Sequence, residues 1–113
     1  MAELQTQRSN VPGGFTPTFQ AVDPAGDTFV NSGREVIAVQ NTDTAQHTVT
    51  IVCQTPCNLG GLAVHNIDMD IPPGQQKGEG PISANFYNDG TGHTTMTYPN
   101  GATGLQVAII GPY

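Results

Sequence analysis

Tryptophan does not occur in this chain of 113 residues, and only 11% of its residues are Asp, Glu, Lys or Arg. Soluble domains usually carry roughly 25% charged residues, so the polarity here rests on Thr, Asn, Gln and Ser. Those groups leave water at lower cost than ions do, which suits a surface that meets other protein surfaces. Positive charge is scarcest. Arg8, Arg34 and Lys77 stand against nine acids, giving a net charge of −6. Nucleic-acid binding draws on several phosphate-neutralising cations, and three scattered ones exclude DNA or RNA as a direct partner. No run approaches the roughly 18 apolar residues of a helical membrane span, so no membrane partner is expected. The opening MAELQTQRSNVPGG lacks the basic start and apolar centre of a signal peptide, so synthesis in a cytoplasm is expected. Cysteine occurs twice, as Cys53 and Cys57 in CQTPC. That spacing allows a local disulfide, a reducing compartment favours thiols, and a zinc site would need two further ligands.

Helical periodicity is missing almost everywhere, while strand-like runs recur between Gly, Pro and Asn clusters. Eight runs stand out: 15–22 (FTPTFQAV), 27–30 (DTFV), 34–41 (REVIAVQN), 46–54 (QHTVTIVCQ), 65–71 (HNIDMDI), 82–88 (ISANFYN), 93–98 (HTTMTY) and 104–110 (GLQVAII). Their alternation is that of half-buried antiparallel strands: His47, Val49, Ile51 and Cys53 share one face, and Ile67, Met69 and Ile71 oppose Asp68 and Asp70. Leu105, Val107 and Ile109 line a third apolar face. The expected fold is all-β, a single-domain antiparallel β-sandwich or jelly-roll-like barrel of about eight short strands. Residues 1–14 read as a flexible N-terminal arm and 15–113 as the sandwich domain. GDTFVNSGREVIAVQN, residues 26–41, reads as a hairpin turning at NSGR, and PPGQQKGEGP as a loop.

Chemistry is hard to find in these residues. His47, His65 and His93, with the cysteines and Met96, hold the ingredients of a copper site, but His93 and Met96 fall on opposite faces and no Cys lies beside them. Asp68, Asp70 and Asp89 lack the spacing of a helix–loop–helix calcium site, and they read as solvated strand-face and turn carboxylates. Neither GxSxG nor a Cys-His signature appears. The expectation is a non-enzyme without metal or cofactor.

In order along the chain, the motifs GDTFVNSGR, IPPGQQ, GPISANFYNDGTG, TMTY and LQVAII resemble those of small tailed-bacteriophage virion proteins of the head decoration, or capsid cement, type. The resemblance covers about Gly26 to Ile110; CQTPCNLGGLAVHN departs from the pattern by its length and its cysteines. It implies a β-sandwich on the outer surface of an assembled capsid, commonly a homotrimer at a local threefold axis. The implied partners are the lattice of major capsid protein and other copies of the chain, and the implied place is the virion surface. Candidate contacts are Arg8, Asn10, Val11, Pro12 and Phe15 at the start and Pro112 and Tyr113 at the end. The alternative is a tail-associated or carbohydrate-binding β-sandwich module.

Overall fold

The chain folds into two β-sheets packed face to face, as a computed structural model describes it for residues 2–8, 17–54, 58–59, 62–63 and 66–111. Strands are β1 (Ala2–Leu4), β2 (Thr6–Arg8), β3 (Gln20–Ala21), β4 (Asp27–Val30), β5 (Val36–Asn41) and β6 (His47–Ile51). There follow β7 (Asn58–Leu59), β8 (Leu62–Ala63), β9 (Ile67–Ile71), β10 (Gln76–Glu79), a single helical turn α1 (Ala84–Tyr87), β11 (His93–Thr97) and β12 (Leu105–Gly111). The first sheet runs β1-β4-β11-β6-β9. The second runs β10-β5-β12-β2, with β3 also on β12, and β7 pairs β8 apart from both.

Alternation places the core between the sheets, as expected. Phe29, Ile37, Val39, Val49, Ile51, Ile71 and Met96 are fully enclosed, and Leu105, Val107 and Ile109 nearly so. Each such side chain contributes about 1.5–3 kcal/mol over its exposed state. Asp68 and Asp70 stay on the wet face, each taking a hydroxyl hydrogen bond from the neighbouring strand: Thr50 to Asp68 at 2.8 Å and Thr48 to Asp70 at 2.7 Å.

The sandwich differs from the sequence expectation in four respects. First, both sheets are mixed: β1 lies parallel to β4, and β2 parallel to β12. These strands enter at sheet edges without a hairpin turn, so nothing forces them antiparallel. Second, the expected arm contributes structure. Residues 2–4 form an edge strand of the first sheet and 6–8 an edge strand of the second, and Leu4 is buried in the core. Third, 26–41 is not a hairpin. β4 belongs to the first sheet and β5 to the second, so NSGR carries the chain across the sandwich. Fourth, within 82–88 the chain forms α1 rather than a strand, and Gln76–Glu79 of the expected loop pairs with β5.

Candidate functional site

Asn31 anchors the crossing, and the residues that meet there come from motifs far apart in the chain. Its side-chain amide donates to the Ile82 carbonyl at 3.1 Å, Asn88 Oδ1 at 2.9 Å and Thr94 Oγ1 at 3.0 Å. Its Oδ1 accepts the Gly33 N–H at 2.9 Å, and its carbonyl accepts from Asn88 Nδ2 at 2.7 Å. Asn31 and Thr94 are buried, so a saturated network is what such polar groups require. Glu35, also buried, closes the turn by accepting from Ser32 N at 2.6 Å and from Ser32 Oγ at 2.9 Å. Burial alone would raise the Glu35 carboxyl; the Ser32 and Arg34 donors outweigh it and hold the group below its ordinary 4.5. Gly80 passes so close that an added Cβ would sit 2.9 Å from the Glu35 carbonyl oxygen, at a φ of 141°. That approach demands glycine.

A groove of about 310 Å³ opens beside this corner. Glu3, Leu4, Gln5 and Thr6 form one wall, and Val30, Ser32 and Glu35 the other. Val30 is the exposed large hydrophobic residue among those described, at 55%. Both carboxylates are already engaged, Glu35 by Ser32 and Glu3 by His93 at 2.5 Å.

His93 is the nearest approach to catalytic geometry. Its Nδ1 lies 3.0 Å from Thr91 Oγ1 and its Nε2 against Glu3 Oε1, a hydroxyl–imidazole–carboxylate string. The Thr91 hydroxyl, however, donates to Asp89 Oδ1 at 2.7 Å, and that carboxylate also accepts the Thr91 and His93 N–H groups. The Thr91 hydroxyl first, then the His93 and Thr91 amides, hold Asp89 below its ordinary 3.8. The proton a base would remove is thus held in a turn, and the string's work is to tie β1 to β11 across β4. His47, buried, bridges Asp43 Oδ2 at 2.8 Å and the Gly101 carbonyl at 3.0 Å. Among the described residues no three of His, Cys, Asp and Glu converge on a metal position. His65 lies outside them, and Met96 is a core residue.

Asp27 and Tyr98 form a second buried polar pair. The Tyr98 hydroxyl donates to Asp27 Oδ2, which also accepts the Asp23 N–H at 3.1 Å. Burial first, then the Asp27 hydrogen bond, pushes the phenol well above its ordinary 10.0. Asp27 Oδ1 has no partner among the described residues.

Of the candidate contacts, Arg8 ends β2 opposite Gly111. Asn10, Val11, Pro12, Phe15, Pro112 and Tyr113 lie outside the described residues. So does Cys57, while Cys53 is half-buried with its thiol 3.6 Å from the Phe86 carbonyl oxygen. Sequence reasoning passed over the groove and a row of glutamines on the second sheet, where Gln76 donates to Gln40 at 2.8 Å and Gln40 to Gln106 at 3.0 Å. Alternation in VIAVQ and LQVAII assigns Gln40 and Gln106 to outer faces; only the strand register makes them neighbours. The chain matches no protein-family model, no curated protein and no solved structure.

Proposed function

We propose that this chain is a structural virion protein, a decoration or cement protein that binds the outer surface of a phage head and stabilises it. The observation that carries the reading is the convergence of its motif residues. Asp27 and Tyr98 pair, and Asn31, Ser32, Gly33 and Glu35 lock onto Gly80, Ile82, Asn88 and Thr94. The ordered set that resembles head decoration proteins therefore specifies one coherent corner of one fold, rather than a scatter of unrelated turns. Fold alone does not decide function; the reading rests on the motif resemblance and is supported by the low content of charged residues, 11%. Contacts repeated over a capsid lattice multiply modest affinities, and such binding needs neither cofactor nor nucleophile.

Gold-labelled antibody against the chain, applied to purified particles, should coat heads; labelling confined to tails, or absent, refutes the proposal. Particles stripped of the protein should release DNA at lower temperature than decorated ones, and equal release temperatures would refute the stabilising role.

A further inference from the structure

We propose that Asn100 is a self-modification site: the peptide nitrogen of Gly101 attacks its side-chain amide, ammonia leaves, and the resulting carboxylate loosens one end of the sandwich. Glycine follows this asparagine and no other in the chain, so here alone the attacking nitrogen carries no neighbouring side chain to block it. Pro99 and Asn100 are the centre of a β-turn, closed by the Gly101 N–H on the Tyr98 carbonyl at 3.2 Å, with Gly101 at a φ of 103°. Asn100 and Gly101 are both exposed. Asn31 and Asn41, by contrast, are buried, and Ser32 and Thr42 follow them. Asp89 also precedes a glycine, but the Thr91 hydroxyl and the His93 amide hold its carboxyl below the ordinary value, and an ionised carboxylate resists attack by nitrogen.

The surroundings of Asn100 assist the first step. Thr48 N–H donates to Asn100 Oδ1 at 2.9 Å, the oxygen on which negative charge develops as nitrogen adds to Cγ, so this donor stabilises the tetrahedral intermediate. The Gly101 N–H gives its proton to hydroxide and the nitrogen bonds to Cγ. The Cγ–Nδ2 bond then breaks as Nδ2 takes a proton from water, which restores the hydroxide. Ammonia departs and a five-membered succinimide remains. Water opens that ring at either carbonyl, leaving aspartate in the ordinary linkage or isoaspartate, whose main chain runs through Cβ and Cγ. The net change is one water consumed and one ammonia released.

Both products strike the same contacts. Asn100 Nδ2 donates to Thr48 Oγ1 at 3.3 Å, and that hydroxyl spends its own proton on Asp70 Oδ1 at 2.7 Å. A carboxylate at position 100 therefore meets an oxygen with no proton to offer, with the like charge of Asp70 beyond it. Isoaspartate adds a further change, because it lengthens the main chain just before the Gly101 carbonyl. That carbonyl accepts from His47 Nδ1 at 3.0 Å, while Nε2 of the same buried ring lies 2.8 Å from Asp43 Oδ2. His47 thereby joins the 42–46 loop to the 99–104 loop, and moving the carbonyl leaves a buried donor without its partner. The inference does not rest on the virion reading, since it is measured on the isolated protein.

The experiment incubates the folded chain at mildly alkaline pH and samples it over time. Peptide mass spectrometry locates each amide-to-acid conversion, and an isoaspartyl methyltransferase counts the isoaspartate. The expected result is conversion at Asn100 ahead of every other asparagine, with isoaspartate among the products. Hydrogen exchange on the converted fraction should show protection lost in residues 42–47 and 99–104 and kept in β4. Asn100→Gln retains the amide but must close a less favourable six-membered ring, and should slow conversion about tenfold or more; its unchanged amide dispersion checks the fold. Three results overturn the inference: Asn100 intact in the folded chain after a time in which the urea-unfolded chain has converted, another asparagine converting first, or converted chains that keep full protection in both loops.

Discussion

Replacing Asn31 tests whether the crossing between sheets is held by its polar network. Asn31→Ala removes the donor to the Ile82 carbonyl and the acceptor for the Gly33 N–H. Asn88 and Thr94 keep each other, since the Thr94 hydroxyl donates to Asn88 Oδ1 at 2.8 Å. Two groups left without partners at about 1–3 kcal/mol each, plus a small void, put the loss at about 3–5 kcal/mol. That is a large share of the roughly 5–15 kcal/mol by which such domains are stable. It corresponds to a fall in Tm of about 12–20 °C. Asn31→Asp separates polarity from volume. It keeps the shape, yet turns an oxygen toward three acceptors, so it should be at least as destabilising as the alanine at neutral pH. Urea unfolding reads both as a lowered midpoint with an unchanged slope. Losses under about 1 kcal/mol, or an aspartate milder than the alanine, would refute the reasoning, because volume would then dominate.

Three further perturbations follow from the same accounting of partners. Tyr98→Phe withdraws the hydroxyl from buried Asp27, and the remaining Asp23 N–H leaves the carboxylate undersatisfied; a loss of about 2–3 kcal/mol is expected on denaturant unfolding. In the native protein, absorbance titration should show the Tyr98 phenolate only on alkaline unfolding, since burial and Asp27 both oppose its charge. Gly104→Ala places a Cβ 2.7 Å from the Asp43 amide at a φ of 75°, and should cost about 2–4 kcal/mol with the 42–47 loop losing hydrogen-exchange protection. Asp43, held low first by its His47 hydrogen bond and then by the Thr44 amide, joins Glu35 and Asp89 below their ordinary values. Groups lowered on folding contribute stability above their unfolded pKa and lose it as pH falls through the folded one. Tm should therefore hold flat down to the ordinary 4.5 and 3.8 of Glu and Asp and then fall, with Glu35→Gln flattening that fall.

Period-two alternation disclosed DTFV, VIAVQN, HTVTI, IDMDI and LQVAII as strands because each buries one face regardless of its neighbour. It could not disclose which strands pair. The NSGR segment has the residues of a tight turn, and whether the chain reverses or crosses depends on Asn31 meeting partners 51, 57 and 63 residues away. Residues 2–8 were missed for another reason. Two three-residue strands of mostly polar residues carry no periodic signal, and what holds them is Leu4 in the core and the reach of Glu3 to His93. Within ISANFYN, the Tyr87 and Asn88 amides bond back to Ser83 and Ala84, so local hydrogen bonding prevails over the strand pattern in a stretch that pairs with no ladder except through Asn88 and Thr94. The motif residues proved to be builders of the corner. The groove and the glutamine row are assembled across strands, which no linear pattern spells out.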